Sequence, residues 1–329
     1  MDHPAFIQLY PTLRCNQECI FCFNQNLQIP VLGRDMSESH ALSLVDISAE
    51  RGIREIDILG GEPLLVPWIK NFVIYASDSG IAVNLSTNGG LTDLIVDFAK
   101  VSSPSVNIGL SILGLSGTHN RLTKSTNFSR AVKAIERLIS YGRSPIVKSV
   151  LMRENREEIF SLAAFLASVG VKRYYLLHED VIGRHSAQAF SFPEYYSFYE
   201  ALKKEMEGKL DTGFVAASGF YKCTDPRAKR CDAGVTKLAV MPDGSAFPCN
   251  LLAGSQNFLL GNIFTDGLDR IWNHPALEHF RTRGIRNPCQ HLQCRHFATC
   301  AGGCPAHSYF LGGSLDKTDP RCRFLDLHS

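Results

Sequence analysis

At 329 residues, with 45% apolar and 20% charged side chains, the chain has an ordinary globular composition and enough length for one large core or two medium ones. Its formal net charge of +2 carries no block of like charge, which argues against a nucleic-acid patch or a charged tail. The start Met1-Asp2-His3-Pro4 lacks the segments of a signal peptide, and no apolar run approaches the ~18 residues that span a bilayer, so a cytoplasmic protein with no nucleic-acid or membrane partner is expected.

From residue 5 to about 208, short β-branched or apolar runs alternate with longer amphipathic ones. Strands are predicted at Phe6 to Thr12, Glu55 to Leu59, Ala82 to Thr87, Ser105 to Leu113, Ile146 to Met152 and Arg173 to His178. Helices are predicted near Ser37 to Arg51, Pro67 to Ser79, Leu91 to Val101, Phe128 to Tyr141, Arg156 to Val169 and Pro193 to Glu207. Such strand-helix units in series imply a parallel sheet with right-handed crossovers. The aromatic residues of the last helix, Tyr195, Tyr196, Phe198 and Tyr199, read as packing. The small-residue stretch Gly208 to Gly219 suggests a boundary, with one domain over 1–208 and another over 209–329.

Eleven cysteines are too many for chance, and in a cytoplasmic chain they point to metal rather than disulfides. Three lie within residues 15–22, none between 23 and 222, and eight within 223–322. Cys15, Cys19 and Cys22 have C-x3-C-x2-C spacing, which sets three thiolates on one loop. A [4Fe-4S] cluster normally takes four ligands, so a triplet leaves one iron open, whereas structural zinc sites close all four positions with paired ligands.

This triplet, with Phe21 immediately before Cys22, resembles the signature of the radical S-adenosylmethionine (SAM) enzymes, in which the open iron chelates SAM. The resemblance implies a partial (β/α)6 TIM-like barrel with the cysteine loop after strand one. It extends to Gly60-Gly61-Glu62-Pro63 after strand two, which in that family binds the SAM amino group. Ser86-Thr87-Asn88-Gly89 at the end of strand three resembles the element beside the SAM ribose, and Ser111 in strand four the serine facing the carboxylate or ribose. Asn155 after strand five and Val181-Ile182-Gly183-Arg184 after strand six are similar to further SAM contacts, the latter at the adenine. His119-Asn120-Arg121 and Arg130 stand where relatives carry an H-D-x-x-R stretch, with Asn120 in place of the acid, and are expected to line the substrate face.

The C-terminal cysteines resemble the SPASM extension of this superfamily, a module with two auxiliary [4Fe-4S] clusters. The run Leu238 to Cys249 is similar to its hairpin, turned by Asp243-Gly244. By the family's ligand order, Cys223, Cys231, Cys249 and Cys304 hold the first auxiliary cluster, and Cys289, Cys294, Cys300 and Cys322 the second. Three [4Fe-4S] clusters then use every cysteine. The interval from Cys289 to Cys294 departs from the usual C-x2-C, and His291 occupies the usual position, so either residue could be the ligand. Sulfatase-maturing relatives carry a general-base aspartate after the hairpin cysteine; here Asn250 stands there and has no proton-accepting carboxylate. Formylglycine formation is therefore not expected. Catalytic residues are otherwise unknown, and His178, Glu179, Asp180 and His185 are candidates for a base.

The expected activity is reductive cleavage of SAM to a 5′-deoxyadenosyl radical. That radical would take a hydrogen atom from a peptide or protein side chain, giving a crosslink, thioether or similar oxidative maturation. Only 14 residues precede Cys15, so a peptide substrate is expected to need either a separate leader-recognition protein or direct docking, along with a flavodoxin- or ferredoxin-type reductant. The alternatives are a small-molecule tailoring dehydrogenase or epimerase of the same superfamily and, more remotely, a non-catalytic Fe-S or zinc protein.

Overall fold

A computed structural model describes residues 3–26, 35–182, 189–216, 220, 231–282 and 302–322. Cys223, Cys289, Cys294 and Cys300 lie outside the described residues, as do Gly183, Arg184, His185 and His291.

The strands are β1 (Phe6–Leu9), β2 (Glu55–Ile58), β3 (Ala82–Thr87), β4 (Asn107–Ser111), β5 (Ile146–Leu151), β6 (Arg173–His178), β7 (Asp211–Val215), β8 (Lys237–Val240), β9 (Ser245–Phe247) and β10 (Gly261–Asn262). They form one sheet in the order β10-β9-β8-β1-β2-β3-β4-β5-β6-β7. From β1 to β7 each strand pairs in parallel with the next in the chain, the winding of a barrel rather than of a doubly wound sheet. The helices between the strands are α1 (Glu38–Glu50), α2 (Ile69–Asp78), α3 (Thr92–Val101), α4 (Ser116–Thr123), α5 (Phe128–Ser140), α6 (Ile159–Ser168) and α7 (Phe192–Glu205). Among the described residues three short helices follow β10: α8 (Leu268–Trp272), α9 (Ala276–Thr282) and α10 (Pro305–Gly312).

Right-handed crossovers in one winding direction place the helices on one face of the sheet. The strand residues turned toward the helices are fully buried: Ile7 and Leu9, Ile56 and Ile58, Val83 and Leu85. The alternating residues Gln8, Glu55, Asp57, Asn84, Ser86 and Lys148 are half-buried and polar. The second face is thus a polar lumen. On α5, Ala131, Ala134, Ile135 and Leu138 are buried at helical spacing, an apolar stripe that docks on the sheet. Ser37 caps α1 by accepting from His40 N, and Ser191 with Glu194 forms a capping box on α7.

The predicted strands three and six match the observed β3 and β6, and the other predicted elements are found with ends moved by one to three residues. Within the barrel, a strand and a helix are new, and β10 and the three helices after it were not predicted either. The stretch 208–219 contains β7, which extends the parallel sheet by a seventh strand. Its sequence Asp211-Thr212-Gly213-Phe214-Val215 has too few apolar residues to show as a strand, and its carbonyls at Thr212 and Val215 are met by the hydroxyls of Tyr199 and Tyr195. The segment around His119 is helix α4. The C-terminal part is not detached, because β8 pairs in parallel with β1 on the side opposite β2.

Candidate active site

The chain leaves β1 at Tyr10 and enters the cysteine loop at the carboxyl edge of the sheet. Thr12 and Arg14 fix that entry: Thr12 Oγ1 donates to Asp35 Oδ1 at 2.7 Å, Arg14 Nε donates to the same oxygen at 2.9 Å, and Arg14 Nη2 to Asp35 Oδ2. The Arg14 guanidinium holds the Asp35 carboxyl below its ordinary value. The GGEP turn lies directly on this backbone. Gly61 N donates to Thr12 O at 2.9 Å and Glu62 N to Arg14 O at 2.8 Å. A Cβ on Gly61 would stand 2.0 Å from Arg14 O, and Gly60 has φ +123, so both glycines are demanded by the approach. Pro63 opens a short 3-10 turn whose Leu64 N is accepted by Glu62 Oε1.

Glu62 is fully buried and ties this turn to the end of β3. Its carboxylate also accepts from Thr87 Oγ1 and Asn88 N, both at 2.8 Å. Burial pushes its carboxyl up to about 7, although the hydrogen bonds from Asn88 N, Thr87 and Leu64 N pull the other way. Asn88 then reaches over the loop. Its Nδ2 donates to Asn16 Oδ1 at 2.6 Å and lies 3.7 Å from Cys15 Sγ. Ser86, two residues earlier in β3, accepts from Lys148 Nζ at 3.0 Å.

The other side of the loop rests on β4, β5 and α4. Phe21 packs with Ile20 against Leu113, Leu122 and Met152. Ile20 N donates to Leu122 O at 2.9 Å and Glu18 N to Thr123 O at 3.3 Å. Asn155 is buried, with Nδ2 donating to Leu113 O and Val150 O and Oδ1 accepting from Met152 N at 2.8 Å. Its whole amide joins the exits of β4 and β5. Ser111 stands on β4 at the register position of Lys148. The expectation that His119 and Asn120 line the substrate face is corrected. His119 is fully buried and accepts from Leu113 N at Nδ1, while Asn120 Oδ1 accepts from Phe128 N at the start of α5.

The cysteine loop thus gathers Cys15, Cys19 and Cys22 beside the ends of β2 and β3. Burial, then the neighbouring Cys22 and Cys15, push the Cys19 thiol up to about 12. Thiols at that value are protonated at neutral pH, and binding of a metal group would displace the protons. A single tetrahedral ion with Zn–S bonds of about 2.3 Å needs its sulfurs closely convergent. Among the described residues no three cysteine sulfurs lie within 4.8 Å of one another, and the group that does is Cys304, His307 and Asp319. The loop therefore fits a larger iron-sulfur group better than zinc.

A second set of thiols lies across β1. The β8–β9 hairpin turns at Asp243 and Gly244 as expected, with Gly244 at φ +87. Cys249 follows it and is buried, as is Cys304. Burial raises both thiols; Lys237 opposes this at Cys249, while Cys231 adds to it at both. Three of the four cysteines assigned to the first auxiliary cluster are therefore neighbours, and this donor set also suits a cluster. Cys322, half-buried, is the described member of the other set.

Among the candidate bases, His178 faces Phe190 O through Nε2 and stacks on Tyr195, and burial lowers it to about 3. Asp180 and the carbonyl of Glu179 are engaged by Arg321, whose Nη1 donates to Glu179 O at 2.7 Å and to Asp180 Oδ1 at 3.4 Å. Arg321 also grips Asp319 with two hydrogen bonds of 3.1 and 2.8 Å, and Asp319 Oδ2 accepts from Cys304 N. His307 Nε2 accepts from Val181 N. This buried joint between β6 and the C-terminal cysteines was missed in the sequence. Its one trace there is the Asp319-Pro320-Arg321 run, in which the acid and base stand two residues apart.

A sequence profile of the radical SAM superfamily matches residues 9–166, and one of the SPASM iron-sulfur cluster-binding domain matches residues 231–301. The chain belongs to the radical SAM superfamily. It carries the SPASM region as well. It is 27% identical over 334 residues to the mycofactocin maturase MftC of Mycobacterium ulcerans, covering 98% of this chain and 88% of that protein. It is 25% identical over 346 residues to the PqqA peptide cyclase of Methylobacterium nodulans, covering 99% and 88%. Among solved structures, Streptococcus suis SuiB bound to its precursor peptide SuiA superposes with a TM-score of 0.82 at 19% identity, covering 98% of this chain and 77% of that one. Native anSMEcpe with bound AdoMet superposes at 0.76 with 18% identity, covering 98% and 94%. Both superpositions describe the radical SAM fold. No helix among the described residues is long and apolar enough to cross a membrane.

Proposed function

We propose that this radical SAM enzyme uses SAM to make an oxidative change, a crosslink, thioether or similar bond, in a peptide or protein side chain. The observation that carries the reading is the seat of the GGEP turn on the cysteine loop: Gly61 and Glu62 bonded to Thr12 and Arg14, with Asn88 against Cys15. The peptide substrate is supported by the similarity over nearly the whole chain to a mycofactocin maturase and a PqqA peptide cyclase.

In this reading residues 1–208, with β7 completing their sheet, form the unit that binds SAM and one [4Fe-4S] cluster on Cys15, Cys19 and Cys22. Residues 209–329 bind two more, on Cys223, Cys231, Cys249 and Cys304 and on Cys289, Cys294, Cys300 and Cys322. When bound, the first cluster and SAM supply a 5′-deoxyadenosyl radical that takes a hydrogen atom from the substrate. Gly60, Gly61, Glu62 and Pro63 hold the amino end of SAM, Ser86, Asn88 and Ser111 its ribose and carboxylate. Phe21 and Asn155 fix the loop and the strand ends around it. A flavodoxin- or ferredoxin-type protein supplies the electron, a separate protein recognises the leader of the peptide, and the enzyme is cytoplasmic.

The test is iron and sulfide per chain after anaerobic reconstitution, in the native protein and in a Cys15/Cys19/Cys22→Ala variant. About 12 iron, falling to about 8 in the variant together with loss of 5′-deoxyadenosine formation from SAM, is expected. Zinc in place of iron, or native iron near 4, would sink the three-cluster assignment.

A further inference from the structure

The Asn88 amide stands between two backbone groups that leave it one orientation. Gly90 N donates to Asn88 Oδ1 at 2.8 Å, which makes the oxygen the atom turned back to the chain and the nitrogen the atom turned to the cysteine loop. Exchanging the two would set a donor against a donor at Gly90 N. Nδ2 then donates to Asn16 Oδ1 at 2.6 Å and lies 3.7 Å from Cys15 Sγ, within reach of a hydrogen bond to sulfur. Asn127, 1% exposed, steadies the same residue from behind: its Nδ2 donates to the Asn88 carbonyl at 2.8 Å. A carbonyl only accepts, so this amide has one orientation as well. Gly90 is what lets the amides meet. A Cβ there would stand 2.9 Å from Asn127 Oδ1, 3.0 Å from Asn88 Oδ1 and 3.2 Å from Asn16 Nδ2. The N–H that faces Cys15 is thus aimed by groups at the exit of β3 and the entry of α5 rather than by the sulfur itself.

We propose that Asn88, oriented by Gly90 and Asn127, donates to the Cys15 sulfur when the loop is loaded and so raises the potential at which the first cluster takes up its one electron. The inference rests on the reading of Cys15, Cys19 and Cys22 as ligands of that cluster, and it gives Asn88 a task separate from SAM. A ligating sulfur is a thiolate, a stronger acceptor than a thiol, so the contact tightens on loading. Uptake of one electron makes the sulfurs more negative still, and a donor stabilises that state more than the oxidised one. The electron comes from the flavodoxin- or ferredoxin-type protein, which is oxidised by one. Asn127 acts only through Asn88, as a positioning residue.

The experiment is an anaerobic redox titration followed by electron paramagnetic resonance, on the full chain without SAM so that contacts to SAM play no part. The first cluster's wave is the one missing from the Cys15/Cys19/Cys22→Ala variant. Asn88→Ala should move that wave to lower potential while the others stay. The reduced-to-oxidised ratio at the original midpoint should fall about tenfold, ~59 mV for one electron. Asn127→Leu, which keeps the Asn88 amide but removes its support, should move the same wave downward by less. Asn155→Ala loosens the loop on its other side without facing the sulfur and should leave the midpoint in place. If Asn88→Ala does not load iron, the nearly isosteric Asn88→Leu, which also lacks an N–H, gives the comparison. An unmoved or raised wave at full iron overturns the inference alone, as does an equal shift in Asn155→Ala. A native chain with no wave that the triple variant lacks overturns the cluster reading and the inference with it.

Discussion

Gly61 sets how closely the GGEP turn can lie on the cysteine loop. A methyl group there would meet Arg14 O at 2.0 Å and Leu13 O at 2.8 Å, both backbone atoms that cannot swing aside. Gly61→Ala should therefore push the loop off its seat, lower stability by about 1–3 kcal/mol and cost the protein its first cluster. Iron should fall from about 12 to about 8 per chain, and a variant that keeps all its iron would show that the loop can move. Glu62 makes a pH prediction. Its folded value of about 7 exceeds its ordinary 4.5, because burial disfavours the charge. Between those values the folded protein holds a proton that the unfolded chain has released, so stability falls as pH rises through this window and levels off above 7. The shift corresponds to about 3 kcal/mol. Thermal melts of the native protein and of Glu62→Gln should draw apart in the variant's favour from pH 5 to pH 8; a constant difference would contradict the assignment.

The exits of β4 and β5 form the seat of the loop on its other side. The Asn155 amide accepts Met152 N and donates to Leu113 O and Val150 O, three backbone groups otherwise stranded where the strands end. Asn155→Ala leaves them without partners, and a cost of about 2–4 kcal/mol is expected once partial rehydration is allowed for. A lowered urea midpoint with an unchanged slope is the result to look for. Because Phe21 packs on Leu113 and Met152, the same variant should also slow SAM cleavage. Helix α4 completes this seat, which explains why its His119 faces the protein interior: Leu113 N needs an acceptor where β4 ends.

Across the whole molecule, the links between the barrel and the cysteine-rich region include a shared sheet and a buried ion pair. Pairing of β8 with β1 makes one sheet of them, and Arg321 carries a buried link from Asp319 and Cys304 to the carbonyl of Glu179 at the end of β6. Asp319 has no exposure, and the paired guanidinium drives its carboxyl far below the ordinary range despite the cost of burial. Arg321→Met would leave that charge unpaired, at a cost of about 3–5 kcal/mol. Since Cys304 and Cys322 both adjoin the pair, iron should drop toward about 4 while the amino-terminal cluster and SAM cleavage persist. Loss of all iron, or of none, would mean that the joint does not organise the C-terminal clusters.

The sequence by itself determined the cysteine triplet, the GGEP turn, the order of six strand-helix units and the SPASM-like hairpin. Each is written in local chemistry: ligand spacing, glycine and proline in a fixed turn, and apolar periods of two and 3.6 residues. Elements whose stability comes from distant partners were not legible there. Strand β7 owes its place to β6 and to the hydroxyls of Tyr195 and Tyr199, and α4 to the loop it supports. Only tertiary structure decided that His119 points inward, that Asn155 ties two strand ends, and that Arg321 closes a buried joint on residues 142 positions away. A buried polar group is defined by the partners that satisfy it, and those partners come from other strands and loops, so its role is set by the fold rather than by its neighbours in the chain.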